Sequence, residues 1–437
     1  MDKSKKRGLG GRHWAALLIF GLYGQIAWMV ENMYFNVYLY KTVTYDPNAV
    51  AVMVAASAIV ATLTTLLMGQ ASDKAGRRKP FITIGYIIWG LVIMSFTWIS
   101  KENTARLFPA ANAAALTTVL IVAMDCVMTF FGSTANDAAF NAWVTDITVP
   151  ETRGRADGAL AALQLAALLI IFGGFDGLTQ KGNWTAFYCA IGGLVTLGGV
   201  AGLFVLKEGP KHKVEKPDLL YGFRPGVVRA NPQLYRILLL IGLYCTAYQI
   251  FFPYLMIYLE YFLGLSNYAI LLAVVLVVAA VLSVLGGRLV DRLGKRRFFL
   301  PAGLVYTGGL LLMYLHGRFL RTDSRLKLPL LALAAIIMMG GSLLLSLVAN
   351  AAIRDYTPEA QRGHFNGVRM IFMVLLPMAL GPFIGARIIR SGPTYLDEYG
   401  AAQIIPNMNL FLGAALFSLL MFIPMGFLLK HWKREEH

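Results

Sequence analysis

Two acids, Glu31 and Asp125, lie inside long apolar stretches of this chain. A carboxylate in hydrocarbon is costly, so an acid placed there is a functional candidate by default. Its neighbours share the polarity. At about 100° per residue, Gln25, Trp28, Asn32, Phe35 and Asn36 fall on one helical face, with Glu31 at its edge. Asp125, Thr129, Gly132 and Asn136 follow at spacings of four, three and four, a single stripe. Such a set suits a polyol or sugar: a carboxyl accepts from paired hydroxyls, and an aromatic ring packs on the apolar face of a sugar. The same groups suit an organic cation. They suit an organic anion poorly, because basic residues are scarce in the middle of these stretches. Arg369 is near the inner end of its stretch, where a long side chain can snorkel to the interface.

Further polar candidates carry no acid. Tyr244, Tyr248, Gln249, Phe252, Pro253 and Tyr254 share one apolar stretch; Ser342, Ser346 and Asn350 recur at spacings of four in another; Gln164 sits alone in a third. A lone amide or hydroxyl in a membrane helix often bonds only to the next helix. Packing is the expected role for Ser342 and Ser346. The expected substrate-binding set is Gln25, Trp28, Glu31, Asn32, Asp125, Asn136, Gln164, Tyr248 and Gln249. Desolvation brings the proton exchange of a carboxyl toward neutral pH, which makes Glu31 and Asp125 the expected proton carriers.

These residues need twelve apolar runs to position them, at about 14–40, 48–69, 80–100, 113–145, 155–176, 184–206, 234–262, 267–288, 298–318, 329–353, 363–390 and 403–429. The chain is 57% hydrophobic and 14% charged, against about a quarter charged for a soluble domain. The runs are continuous rather than alternating, which selects membrane helices over a barrel. The formal charge of +16 lies in short loops and reads as an orientation signal, not as a nucleic-acid surface. With both termini cytoplasmic, 28 of the 39 Lys and Arg fall on the inner side. The first run is too long for a cleaved signal peptide and reads as a retained helix. Cys126, Cys189 and Cys245 all lie in apolar runs, so no disulfide framework is expected.

Two polar signatures recur. Gly69, Asp73 and Gly76, followed by Arg77, Arg78 and Lys79, match Gly287, Asp291 and Gly294, followed by Lys295, Arg296 and Arg297. Asn141, Asp146, Pro150, Glu151, Arg153 and Gly154 match Asn350, Asp355, Pro358, Glu359, Arg362 and Gly363. Each pair occupies equivalent places in two halves. The proline-rich, charged connection between them gives a six-helix bundle over 1–206, a cytoplasmic linker over 207–233 and a second bundle over 234–437.

Twelve helices in two pseudo-symmetric six-helix bundles, with these signatures after the second and eighth, resemble the major facilitator superfamily. Asn136, Asp137, Asp146 and the turn at Arg153 and Gly154 resemble its glycoside–pentoside–hexuronide:cation symporters and their sucrose-transporter-like relatives. The resemblance implies an all-α membrane protein working by alternating access about a central cavity lined by the first and fourth helices. It implies gating roles for Asp73, Arg77, Asp137, Asp146, Asp291, Arg296 and Asp355. Asp73 would approach a helix N-terminus of the other half. Arg77 would pair with Asp137 or Asp146, and Asp291, Arg296 and Asp355 would mirror them. Melibiose-type sodium symporters carry a carboxylate pair on the second helix. The second run here, about 48–69, holds no acid, a departure that favours protons.

The expected protein is a proton-coupled symporter of a sugar or glycoside, a monomer in the cell (inner) membrane with lipid around it. No enzyme activity, metal or cofactor is expected, since no Ser-His-Asp order, metal spacing or nucleotide loop occurs. Two alternatives stand beside it: a proton-coupled antiporter exporting organic cations or drugs, and a non-transporting nutrient sensor on the same fold. The sensor needs a long cytoplasmic signalling segment, for which tails of roughly 13 and 8 residues leave no room.

Overall fold

The computed structural model describes residues 9–208, 221–265, 268–319, 326–358, 362–392, 394–396 and 402–435. Among them are twelve helices long and apolar enough to cross a membrane: α1 (Gly11–Val43), α2 (Pro47–Ala75), α3 (Lys79–Trp98), α4 (Ala113–Ile147), α5 (Thr152–Gln180), α6 (Trp184–Val205), α7 (Pro232–Phe262), α8 (Tyr268–Gly287), α9 (Arg296–Phe319), α10 (Lys327–Tyr356), α11 (Gly367–Arg390) and α12 (Asn409–Arg434). In lipid, each backbone N–H and C=O must be satisfied within its own segment, and a helix does this.

The sequence marks where several of these helices start. Asp46 accepts from the backbone N–H of Asn48 at 3.0 Å, with Pro47 as the first residue of α2. Asn112 and Asn183 cap α4 and α6 by accepting from Ala115 and Ala186, each at 3.1 Å. The start of α3 is held by a residue far away in sequence. Glu208 accepts from the N–H groups of Arg78 and Lys79 at 2.9 and 3.0 Å. A carboxylate there satisfies orphan donors and meets the positive end of the helix dipole.

The repeated signature glycines have a conformational cause. Gly76 and Gly294 stand at φ of 60° and 87°, where a side chain is strained; Gly76 follows the end of α2, and Gly294 follows Leu293, where the helix that continues α8 beyond the span ends. One element departs from the expected pattern. Two short antiparallel strands, β1 (Thr394–Leu396) and β2 (Ala402–Ile404), pair Tyr395 with Gln403. The twelfth helix therefore begins at Asn409 rather than near residue 403.

The chain forms two compact units. The first is Met1–Thr44 with Ile59–Pro217, and the second is Tyr45–Ala58 with Asp218–His437. The first turns of α2 thus pack with the C-terminal half. In that second unit Arg390 Nη2 lies 2.8 Å from Asp46 Oδ1, and the Tyr254 hydroxyl lies 2.9 Å from the carbonyl oxygens of both Pro47 and Pro382. Of the expected linker, 209–220 lies outside the described residues.

Candidate functional site

The site is built in the first unit from α1, α3 and α4. Two of its helices leave α-geometry where the polar residues lie. Val30–Tyr34 in α1 and Ser133–Phe140 in α4 are wound as π-helix. A π-turn widens the helix, redirects its side chains and recurs at functional positions. Glu31 sits in the first of these turns and Asn136 and Asp137 in the second.

Glu31 and Asp125 are both buried. Thr129, one turn after Asp125, donates its hydroxyl to Glu31 Oε1 at 2.9 Å. That bond joins the α1 and α4 polar faces. Glu31 Oε2 and Asp125 Oδ1 are buried without any hydrogen-bond partner. Asp137 is half-buried and accepts from the Ser133 hydroxyl at 3.2 Å and from Asn136 Nδ2 at 3.3 Å. It therefore belongs with this polar stripe, and no ion pair to Arg77 occurs among the described residues.

Asn136 is fixed from α3. The Tyr86 hydroxyl lies 2.8 Å from Asn136 Oδ1 and also 2.8 Å from the Phe20 carbonyl oxygen on α1. Gly24 makes this approach possible, since a Cβ there would stand 2.5 Å from both Asn136 Oδ1 and the Tyr86 oxygen. Trp28 packs against Trp89, with ring centroids 5.1 Å apart, over Gly132 of the α4 stripe. Asn32 and Asn36 donate back into α1, to the carbonyls of Trp28 and Asn32, each at 2.8 Å. Asn36 Oδ1 remains buried without a partner. Gln25 is half-buried on the same helix.

Tyr86, Trp89, Gly24 and Thr129 complete the site, although none was among the candidates as a binding residue. The Thr129 position on the stripe was legible; the two α3 aromatics carry no signal in sequence beyond their presence in an apolar run. Asp176 is a further acid outside the expected set. It is buried on α5 and accepts from the Tyr34 hydroxyl at 2.9 Å. Gln164, also on α5, is exposed, and no hydrogen bond of the acid cluster reaches it.

The second unit holds the other candidates. Tyr248 stacks on Phe252 at 4.7 Å, and Gln249 lies against α11 where Gly381 admits it. Ser342 meets the Tyr244 hydroxyl at 2.6 Å, the packing role expected of it. Asn350 donates to the Ser346 carbonyl at 2.9 Å.

The first signature loop is a charged cluster. In the first, Arg78 rather than Arg77 makes the contacts: its guanidinium pairs with Asp73, reaches Asp146 at 3.2 Å and meets the Ser72 hydroxyl at 2.6 Å. Arg77 is exposed. In the second, Arg296 lies over the Trp432 ring at 5.6 Å and Asp355 is exposed. The Asp291 side chain, residues 359–361 and the side chains of 362–364 lie outside the described residues.

A comparison with curated protein sequences gave no match. Solved structures share the architecture. A bacterial homologue of the human lysosomal transporter Spinster, inward-facing and unoccupied, is 15% identical, with a TM-score of 0.61 over 97% of each chain. The nucleoside transporter NupG is 11% identical, with a TM-score of 0.67 over 95% of this chain and 98% of its own. The D323A mutant of NupG is also 11% identical, with a TM-score of 0.71 over 95% and 99%. At these identities the likeness is one of fold. The model of one family, described as Major Facilitator Superfamily, matches residues 16–315 and again 266–436. Twelve apolar helices, paired basic signatures and a match running almost end to end carry one conclusion: the chain belongs to the Major Facilitator Superfamily, and is an integral multi-pass membrane transporter rather than an enzyme.

Proposed function

We propose that this transporter couples a proton to the uptake of a sugar or glycoside by alternating access. The supporting observation is that Glu31 Oε2 and Asp125 Oδ1 are buried within membrane spans and lack hydrogen-bond partners. An uncompensated carboxylate in such surroundings is expensive. A group that binds a proton in one state and releases it in another avoids that cost in the dry state and is charged in the wet one. Around it, Asn136, Asn32 and Gln25 offer hydrogen bonds and Trp28 offers a ring, the chemistry a sugar needs. Asn136, Asp137, Asp146 and the Arg153 and Gly154 pair, in the first turn of α5, support a place beside the glycoside–pentoside–hexuronide:cation and sucrose-transporter-like branch.

In this reading Arg78, Asp73 and Asp146 form an inner latch whose rearrangement biases the two states. Both termini are cytoplasmic, by the bias of Lys and Arg, and the protein works as a monomer in the cell membrane. A second reading, export of organic cations in exchange for protons, is favoured by the Trp28 and Trp89 pair beside the two acids.

Proteoliposomes under an inward proton gradient separate these readings. Radiolabelled sugars, glycosides and nucleosides are screened against organic cations. Gradient-driven accumulation of a sugar, lost in Glu31→Gln and in Asp125→Asn, is the expected result. Both variants accumulating sugar like wild type would overturn the assignment. Gradient-driven cation export without sugar uptake would replace it by the second reading.

A further inference from the structure

The proton coupling proposed above makes no use of Asp176, the buried acid of α5. Its carboxyl accepts from the Tyr34 hydroxyl of α1 at 2.9 Å. The Thr179 hydroxyl and the Gln180 amide of its own helix lie farther off, each at 3.5 Å. Tyr34 is the last residue of the π-turn that holds Glu31, and Asp176 directly follows a second π-turn, Ile171–Phe175. The hydrogen bond therefore joins two helices at the ends of their widened turns, and both of its partners are buried.

Another contact fixes the register of these helices. At Gly21 an added Cβ would stand 2.7 Å from Leu160 and 2.8 Å from Leu163, so α1 and α5 approach closely there. Thirteen residues separate Gly21 from Tyr34, and thirteen separate Leu163 from Asp176. The two contacts come in the same order along both helices, which run parallel, and each stretch includes one π-turn. A π-turn is rare and needs something to hold it. If one of these turns rewound to α-geometry, a residue would be left over. The chain beyond would advance by about 1.5 Å and rotate by about 100°. Tyr34 and Asp176 would then no longer meet, and Glu31, inside the turn, would be redirected from Thr129 on α4. The Tyr34 ring also packs, with centroids 4.9 Å from Phe187 and 6.4 Å from Phe172. Ring packing is less directional than a hydrogen bond, so the hydroxyl is the part that selects the register.

We propose that Asp176 is a positioning residue for Glu31: through the Tyr34 hydroxyl it holds the π-turn of α1 that presents the Glu31 carboxyl to α4. Its consequence for transport rests on the reading of Glu31 as a proton carrier.

The test uses the full-length protein in nanodiscs and infrared spectroscopy across pH. The carboxyl absorption of Glu31, protonated or ionised, is the one that Glu31→Gln removes. The titratable groups near Glu31 are Asp125, Cys126 and Asp137 on α4, and they are common to every variant compared. Tyr34→Phe keeps the ring and removes only the hydroxyl. It should move the midpoint of the Glu31 titration by about half a pH unit or more, and Asp176→Ala should do the same. Asp176→Asn keeps an acceptor for Tyr34 and should titrate like wild type. The proposal is overturned if Tyr34→Phe titrates like wild type, whatever Asp176→Ala does. It is overturned as well if Asp176→Asn moves the midpoint as far as Asp176→Ala, since the charge of Asp176 would then act directly. Transport is scored separately, with the radiolabelled sugars of the liposome screen. An unmoved midpoint in Tyr34→Phe, with sugar accumulation lost in Glu31→Gln, removes the positioning role and leaves the transport reading. A moved midpoint, with Glu31→Gln accumulating sugar like wild type, does the reverse.

Discussion

The acid cluster depends on one missing side chain. Gly24 lets α1 approach the Tyr86 and Asn136 pair, and a methyl placed there would meet both oxygens at 2.5 Å. Gly24→Ala should therefore lower stability by about 1–3 kcal/mol, the range for overpacking. It should also displace Asn136 and impair transport. Gly154→Ala is the matched control, because nothing lies within 4 Å of its added Cβ. That variant should be neutral or stabilising by up to about 1 kcal/mol, as alanine for glycine in a helix is. Equal melting temperatures for the two variants would show that the α1 approach is not as close as described. Thr129 makes a second residue-scale case. Thr129→Val keeps the shape and removes the donor to Glu31 Oε1, leaving both carboxyl oxygens without a partner. The pH dependence of uptake should move in Thr129→Val and stay fixed in Thr118→Val. Thr118 returns its hydroxyl to its own helix at the Ala114 carbonyl, 2.8 Å away.

Among the elements, the start of α3 is the most informative. Its N-terminal donors are met by Glu208, and its preceding arginine ties Asp73 to Asp146. Glu208→Ala should cost about 1 kcal/mol, as for loss of a cap. Arg78→Ala should cost about 2 kcal/mol, less than the 3–5 of a fully buried pair because its partners remain 23% and 18% exposed. Arg77→Ala, at an exposed position, should change little. Thermal unfolding of the three variants in one detergent checks the order. This is also where reading from sequence stops. Continuous apolar runs gave away the helices, since hydrocarbon permits little else, and the repeated glycine at positive φ explains why the signature recurs. The choice of Arg78 over Arg77 depends on how the helix end unwinds, which residue types do not specify. Periodicity at a fixed turn put Asp125, Thr129 and Asn136 on one stripe. It could not foresee that both helices widen to π-geometry at Glu31 and Asp137. The resemblance offers Asp137 as one candidate partner for Arg77 at the inner end of the fourth helix, yet its hydrogen bonds come from Ser133 and Asn136. Asp176 lies at the edge of its apolar run, where sequence does not separate an interior acid from an interfacial one; its burial and its Tyr34 partner mark it as interior.

For the whole molecule, order along the chain and order in space disagree at one place. Residues 45–58 are covalently part of the N-terminal half, yet they are packed in the unit of the C-terminal half, with Asp46 on Arg390 and Pro47 under Tyr254. A gene severed between 209 and 220 would thus yield two polypeptides that each lack something the other carries. The first would expose the tip of a helix evolved to be covered, and the second would have an empty berth for it. Co-expressed, they should purify as one complex on a tag placed on either piece, whereas the first piece alone should aggregate. Reversing the charge of Asp46 should weaken that recovery, and reversing Arg390 as well should restore it. A seam that looks like the natural place to divide this protein is one that its own second helix has already stitched across.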